Sequence, residues 1–159
     1  MNPYLSLDHI GFTVSSLDKS IEFYSKLLNK EPLMRRMYED EYVGTVVGYK
    51  NVVMDCGFFA LPNNTILELI EYYEPYKGTV DMESYNVGNA HLCLIVDNME
   101  REIERVKDFV LMITDGIGIS TGGPYKGSKV IYFRDPDGIS IEVVEYPNGI
   151  EPEKLRSSN

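Results

Sequence analysis

The chain has two histidines, His9 in LDHIGFTV and His91 in NAHLCLIV, and both fall on the same position of an internal repeat. Two glutamates share a second repeat position, Glu68 in LPNNTILELIEY and Glu142 in DPDGISIEVVEY. A His on a strand is, taken singly, most often a satisfied polar residue, and a Glu on a strand most often faces water. Taken together, two imidazoles and two carboxylates are a donor set for a divalent first-row ion. Burying such groups without partners is costly, and one divalent ion offsets that cost for all four. The joint spacing therefore predicts a metal site formed by His9, Glu68, His91 and Glu142.

The elements that would position these residues follow from the same repeat. LDHIGFTVSSLDKSIEFYSKL lies beside NAHLCLIVDNMEREIERVKDF without a gap. Each copy opens on a strand. Ser15 with Asp18, and Asp97 with Glu100, then make a capping-box pattern at a helix start. Leu17, Ile21, Tyr24 and Leu28 match Met99, Ile103, Val106 and Val110, the spacing of a helix that packs one face. Pro62 with Asn64, and Pro136 with Gly138, mark a hairpin before each closing strand. GTVVGYKNVVMDCGFFAL and GSKVIYFR supply further strands, so each half reads strand-helix-strand-strand-strand. The His-to-Glu separation is eight residues longer in the first half (9 to 68 against 91 to 142), and the extra residues are expected in the loop region RRMYEDEYVG.

Alternation then assigns the faces. His9, Gly11 and Thr13 share one side of their strand, as do His91, Cys93 and Ile95. Glu68 lies with Ile66 and Ile70, and Glu142 with Ser140 and Val144. Leu67, Leu69, Ile141 and Val143 form the opposite, apolar rows that must take the helices. Glu71 and Glu145, three residues beyond each proposed ligand, face that opposite side and read as structural or exposed. The division expected is a first module over residues 1–75, a linker over 76–88, a second module over 89–146 and a polar, frayed tail over 147–159, all within one domain.

Composition narrows the partners. The 159 residues include 25 acidic and 15 basic side chains, a formal net charge of -10. That balance argues against nucleic acid or an anionic membrane as the partner and for a small molecule. Cys56 and Cys93 are too few and too far apart for a disulfide framework and read as reduced core thiols. MNPYLSLDHI has no basic region followed by an apolar run, and no stretch approaches a membrane span, so a cytoplasmic protein is expected.

LDHIGFTV, ILELIEY, GNAHLCLIVDN and GPYKGSKVIYFRDPDGISIEVVE, four segments in order over about residues 4–146, resemble the glyoxalase, bleomycin-resistance and extradiol-dioxygenase (vicinal oxygen chelate) superfamily. The resemblance implies an α+β fold in which two βαβββ modules form a cupped, incompletely closed mixed sheet around one divalent ion. Zn, Ni, Co, Mn or Fe would each suit the mixed nitrogen and oxygen set. It further implies a homodimer, and a lyase or isomerase that moves a proton on a chelated carbonyl or thioester substrate through an enediolate or enolate. Glu142 is the leading base, with Glu68 on the opposite face of the substrate. LELIEYYEP looks closest to methylmalonyl-CoA epimerases, and DPDGISIEVVE to glyoxalases and dioxygenases. Lactoylglutathione lyases carry an Arg four residues after the first His, where this chain has Thr13. Two other activities occur in the superfamily, metal-free sequestration of the bleomycin-resistance type and Fe(II) dioxygenation.

Further residues are candidates for substrate contact. Arg35 and Arg36 offer cations for a carboxylate or phosphate, Cys93 shares the His91 face, and Tyr125 with Lys126 stands at the tip of the glycine-rich DGIGISTGGPYKG, a candidate flap. That stretch does not join a strand to a helix, so it is no dinucleotide fingerprint.

Overall fold

The structure, a computed structural model, describes residues 6–76, 78–123 and 125–147. The expected tail lies almost wholly outside them. The chain divides into two compact units, the first ending at Val80 and the second beginning at Asp81, a boundary inside the polar stretch 76–88. Among the described residues no helix is long and apolar enough to cross a membrane.

The first unit runs β1 (His9–Thr13), α1 (Leu17–Leu28), β2 (Met34–Tyr38), α2 (Glu41–Val47), β3 (Val53–Ala60), a 3-10 turn (Pro62–Asn64) and β4 (Ile66–Glu74). Its sheet has the order β1-β4-β3-β2, with β1 and β4 parallel and the other pairs antiparallel. The second unit runs β5 (His91–Val96), α3 (Met99–Val106), β6 (Leu111–Met112), β7 (Gly118–Ile119), β8 (Lys129–Arg134) and β9 (Ser140–Glu145). Its order is β5-β9-β8-β6, β5 and β9 are again parallel, and β7 pairs with β8. The fold is α+β, and each half keeps the expected strand-helix-strand-strand-strand plan with one addition, α2 between the second and third strands of the first half and the short β7 in the second.

One face of each sheet is packed under its helix. In the first unit Leu17, Phe23, Tyr24 and Leu27 of α1 are buried with Phe59, Leu67 and Leu69. Gly57 permits the close approach, because a Cβ there would stand 3.2 Å from Leu17 and 3.3 Å from Ile21. In the second unit Met99 and Val106 of α3 are buried, as are Ile131, Phe133, Ile141 and Val143 of β8 and β9. Burying these side chains is the main favourable term holding helix to sheet.

Both helices start one residue later than the capping-box reading places them. Ser16 caps α1, accepting from Lys19 N at 3.5 Å, and Asn98 caps α3, accepting from Arg101 N at 2.7 Å. The sheet supplies a second acceptor at each start. Glu71 Oε2 accepts from Leu17 N at 2.7 Å, and Glu145 Oε2 accepts from Met99 N at 2.6 Å. The two glutamates thus have one duplicated structural task, satisfying orphan N–H groups at a helix terminus where negative charge is favoured.

The stretch RRMYEDEYVG, expected as a loop, is strand β2 through Tyr38 and then the start of helix α2, and Gly44–Val47 is helix, not strand. Asp40 caps α2 by accepting from Val43 N at 3.0 Å, and Gly48 ends it at φ 79° with its N–H on Gly44 O. Those stops outweigh the strand preference of the β-branched residues between them. Val43 is then buried with Val52, Met54 and Cys56, on the sheet face away from α1.

The glycine-rich stretch is also more ordered than a plain flap. Gly118 and Ile119 pair with Val130 and Lys129, and Gly127 N donates to Ser120 O at 2.7 Å, which makes it a hairpin arm.

Candidate metal centre

The duplicated residues occupy equivalent places in the two sheets. His9 is registered with Ile66, and Gly11 with Glu68, across the parallel β1–β4 pair. His91 is registered with Ser140, and Cys93 with Glu142, across β5–β9. Two steps along adjacent parallel strands put each imidazole diagonally beside its carboxylate on the face away from the helix. His9 Nε2 stands 3.3 Å from Glu68 Oε2, and His91 Nε2 stands 3.0 Å from Glu142 Oε2. The imidazoles are 48% and 45% exposed and the carboxylates 16% and 19%, so each pair has a buried floor and an accessible edge.

The surroundings of the two pairs differ. Asp8 Oδ2 accepts from His9 Nδ1 at 2.8 Å, which fixes the ring and leaves Nε2 toward Glu68. The Cys56 thiol lies beside Glu68, and burial together with the nearby Glu68 charge pushes that thiol up to about 12. In the second unit the Tyr132 ring, cross-strand from Glu142, meets His91 edge-on at 5.5 Å between centroids. Burial first, then the Glu142 carboxylate beside it, raises the Tyr132 phenol well above its ordinary value.

The other residues singled out from the sequence divide by face. Thr13 lies on the His9 face. Cys93 lies on the His91 face and is exposed, not a core thiol. Arg35, registered with Gly57, faces the α1 side, where it bonds buried Asp55 at 2.8 Å and Asp18 at 2.6 Å. It is therefore not on the metal-pair face, and its ion pairs account for it structurally. Arg36, registered with Cys56, is on that face, its guanidinium 4.8 Å from the Tyr38 ring centre. Tyr125 packs on Tyr146 at 5.7 Å between centroids, and exposed Lys126 follows it in the turn that closes the hairpin arm. Cys56 is the buried thiol expected from the sequence, and its place beside Glu68, like those of Asp8 beside His9 and Tyr132 opposite Glu142, is set by the strand register.

Residues 6–143 match the Glyoxalase/Bleomycin resistance protein/Dioxygenase superfamily. The chain belongs to that superfamily. Among its relatives, a lactoylglutathione lyase of Neisseria meningitidis serogroup A is 32% identical over 91% of this chain and 94% of its own length. A lactoylglutathione lyase of Escherichia coli O157:H7 is 27% identical over 89% and 93%. A 2-epi-5-epi-valiolone epimerase from an Actinomyces species is 25% identical over 91% and 81%. In fold, a glyoxalase family protein from Bacillus cereus superposes with a TM-score of 0.77 at 19% identity, covering 91% of this chain and 96% of that one.

Glyoxalase-type members of the superfamily generally use a divalent ion, and each His–Glu pair fits one. Ligands at about 2.1 Å from an ion, at right angles to one another, stand about 3 Å apart, and the two Nε2···Oε2 separations are 3.3 and 3.0 Å. The Asp8 carboxylate on His9 Nδ1 is of the kind of outer contact that orients a metal ligand. Among the described residues no three His, Cys, Asp or Glu side chains converge within the structure as a metal-binding group.

Proposed function

We propose that the protein is a divalent-metal-dependent isomerase or lyase that moves a proton on a carbon next to a carbonyl or thioester. The observation that carries this reading is the duplication of the His–Glu pair at one register in both sheets. His9, Glu68, His91 and Glu142 would hold the ion, which when bound supplies Lewis-acid stabilisation of negative charge on substrate oxygens. The two carboxylates are the groups of this set that can accept a proton from the substrate carbon and return it. The carboxylates are partly buried, while the exposed imidazole edges leave room for a small molecule. Thr13 offers no cation for a glutathione carboxylate, so a small hydroxy ketone or an acyl thioester is the substrate class favoured. Action in the cytoplasm as a homodimer belongs to the same proposal.

Metal analysis of protein purified without chelator or nickel resin should find one stoichiometric divalent ion per chain. With that protein in deuterated water, hydroxy-ketone and acyl-CoA candidates should gain deuterium at the carbon next to the carbonyl. Absence of a bound ion, or failure of every candidate to exchange with ion present, would overturn the reading.

A further inference from the structure

Arg35, Arg101, Arg105 and Arg134 are each ion-paired with a carboxylate. Among the described residues Arg36 is the one arginine that is not, in a chain whose formal net charge is -10. Where carboxylates are in such excess, a guanidinium without one is a group kept for something else.

Its place on the first sheet is defined. Arg36 is registered with Cys56, Cys56 with Ile70 and Ile70 with Thr13, a row on the face that carries His9 and Glu68. The neighbouring row of that face is Met34, Phe58 and Glu68. Two strands and two residues thus separate Arg36 from Glu68, roughly 12 Å between Cα atoms at ordinary sheet spacings. Met34, Phe58, Cys56 and Ile70 lie between them, so the floor from the carboxylate to the guanidinium carries no charge.

The guanidinium is also held. Its carbon stands 4.8 Å from the centre of the Tyr38 ring, and Tyr38 packs against the buried cluster of Val43, Val52, Met54 and Cys56. Contact with an aromatic face steadies an arginine while leaving its N–H donors unused. That fork of donors matches two oxygens of a carboxylate or phosphate.

Resting on the metal-dependent reading above, we propose that Arg36 is a specificity-determining residue that binds an oxyanion on the substrate, a carboxylate or phosphate a few carbons away from the carbonyl at the ion. The uncharged strip between Glu68 and Arg36 seats the intervening carbons. The span is shorter than an extended pantetheine arm, which favours an anionic hydroxy ketone over an acyl-CoA bound through its phosphates.

The test uses protein loaded with Co(II) and hydroxy ketones of graded chain length that end in a carboxylate, a phosphate or a neutral carboxamide. Calorimetry gives their affinity and solvent-deuterium exchange their turnover, for wild type, Arg36→Met and Lys107→Met, which removes the same charge at the end of α3. In wild type an anionic member should bind at least about tenfold more tightly than its carboxamide, as a charge-assisted pair does. The carboxylate and phosphate arms then tell which oxyanion is taken. Arg36→Met should erase the preference and raise KM for the anion, with kcat, Co(II) affinity and carboxamide binding little changed, whereas Lys107→Met should keep it. Equal affinity for anionic and neutral members in wild type, or a preference that survives Arg36→Met or falls as far in Lys107→Met, would overturn the inference. Binding that depends on Arg36 without exchange of any member would keep the anion site and remove the proton-transfer reading. Failure of wild type to take up Co(II) would remove the metal reading, and the same calorimetry on metal-free protein would still decide for or against Arg36.

Discussion

Cys56 and Cys93 share a residue type and a sheet face pattern, and the fold gives them opposite chemistry. Cys56 is fully buried, and its thiol is pushed up to about 12, chiefly by burial and then by the charge of Glu68. A thiol reacts as its thiolate, so both effects make Cys56 inert at neutral pH. Cys93 is exposed beside the Glu142 position of the neighbouring strand. A chromogenic disulfide reagent at pH 8 should therefore modify one thiol per native chain, Cys93→Ser should abolish that reaction, and the second thiol should appear only on denaturation. Rapid modification of both native thiols would contradict the burial of Cys56. At this scale the four proposed ligands were legible because duplication singles them out from every other polar residue on a strand. The places of Cys56 and Tyr132 beside the two glutamates were not, since they depend on which residues face each other across a hairpin. That is register, and register is set by turn geometry and by the buried rows rather than by the contacting residues themselves.

At the scale of elements, the strand alternation of ILELIEYY and ISIEVVEY was readable because one row of each, Leu67 with Leu69 and Ile141 with Val143, is apolar for the helix while the other row holds the glutamate. Placing Glu71 and Glu145 on the helix side followed from that alternation, but their task did not. It needs the helix terminus to arrive above the end of the central strand, a tertiary event. The bonds to Leu17 N and Met99 N, at 2.7 and 2.6 Å, replace partners that a helix lacks at its first turn. Glu71→Ala should destabilise the protein by about 1 kcal/mol, as loss of a helix cap does, and Glu71→Gln by less because an acceptor oxygen remains. Urea unfolding of the two variants would check this, with no effect on Co(II) affinity expected from either. Glu145 has a further tie, to Lys129 Nζ at 3.1 Å, which Lys129 shares with Glu100 on α3. The helix α2 was misread for the opposite reason: its GTVV core favours strand locally, and only the Asp40 and Gly48 stops, together with burial of Val43, decide for helix.

For the whole molecule, the proposed metal centre asks one imidazole and one carboxylate of each repeat. Each contributes one imidazole and one carboxylate on the face away from its helix, at matched register. Two donors chelate a divalent ion far more weakly than four, because the second pair binds without a further loss of the ion's translational freedom. Both pairs should then be necessary for tight binding of the proposed ion. His9→Ala with Glu68→Gln, and separately His91→Ala with Glu142→Gln, should each reduce the stoichiometric metal content of dialysed protein to background. Each variant keeps its apolar rows and helix caps intact, so circular dichroism should remain that of the wild type. Retention of one tightly held ion per chain in either double variant would place the metal wholly within the other unit. Loss of the ion in both would mean that both pairs are needed to hold it.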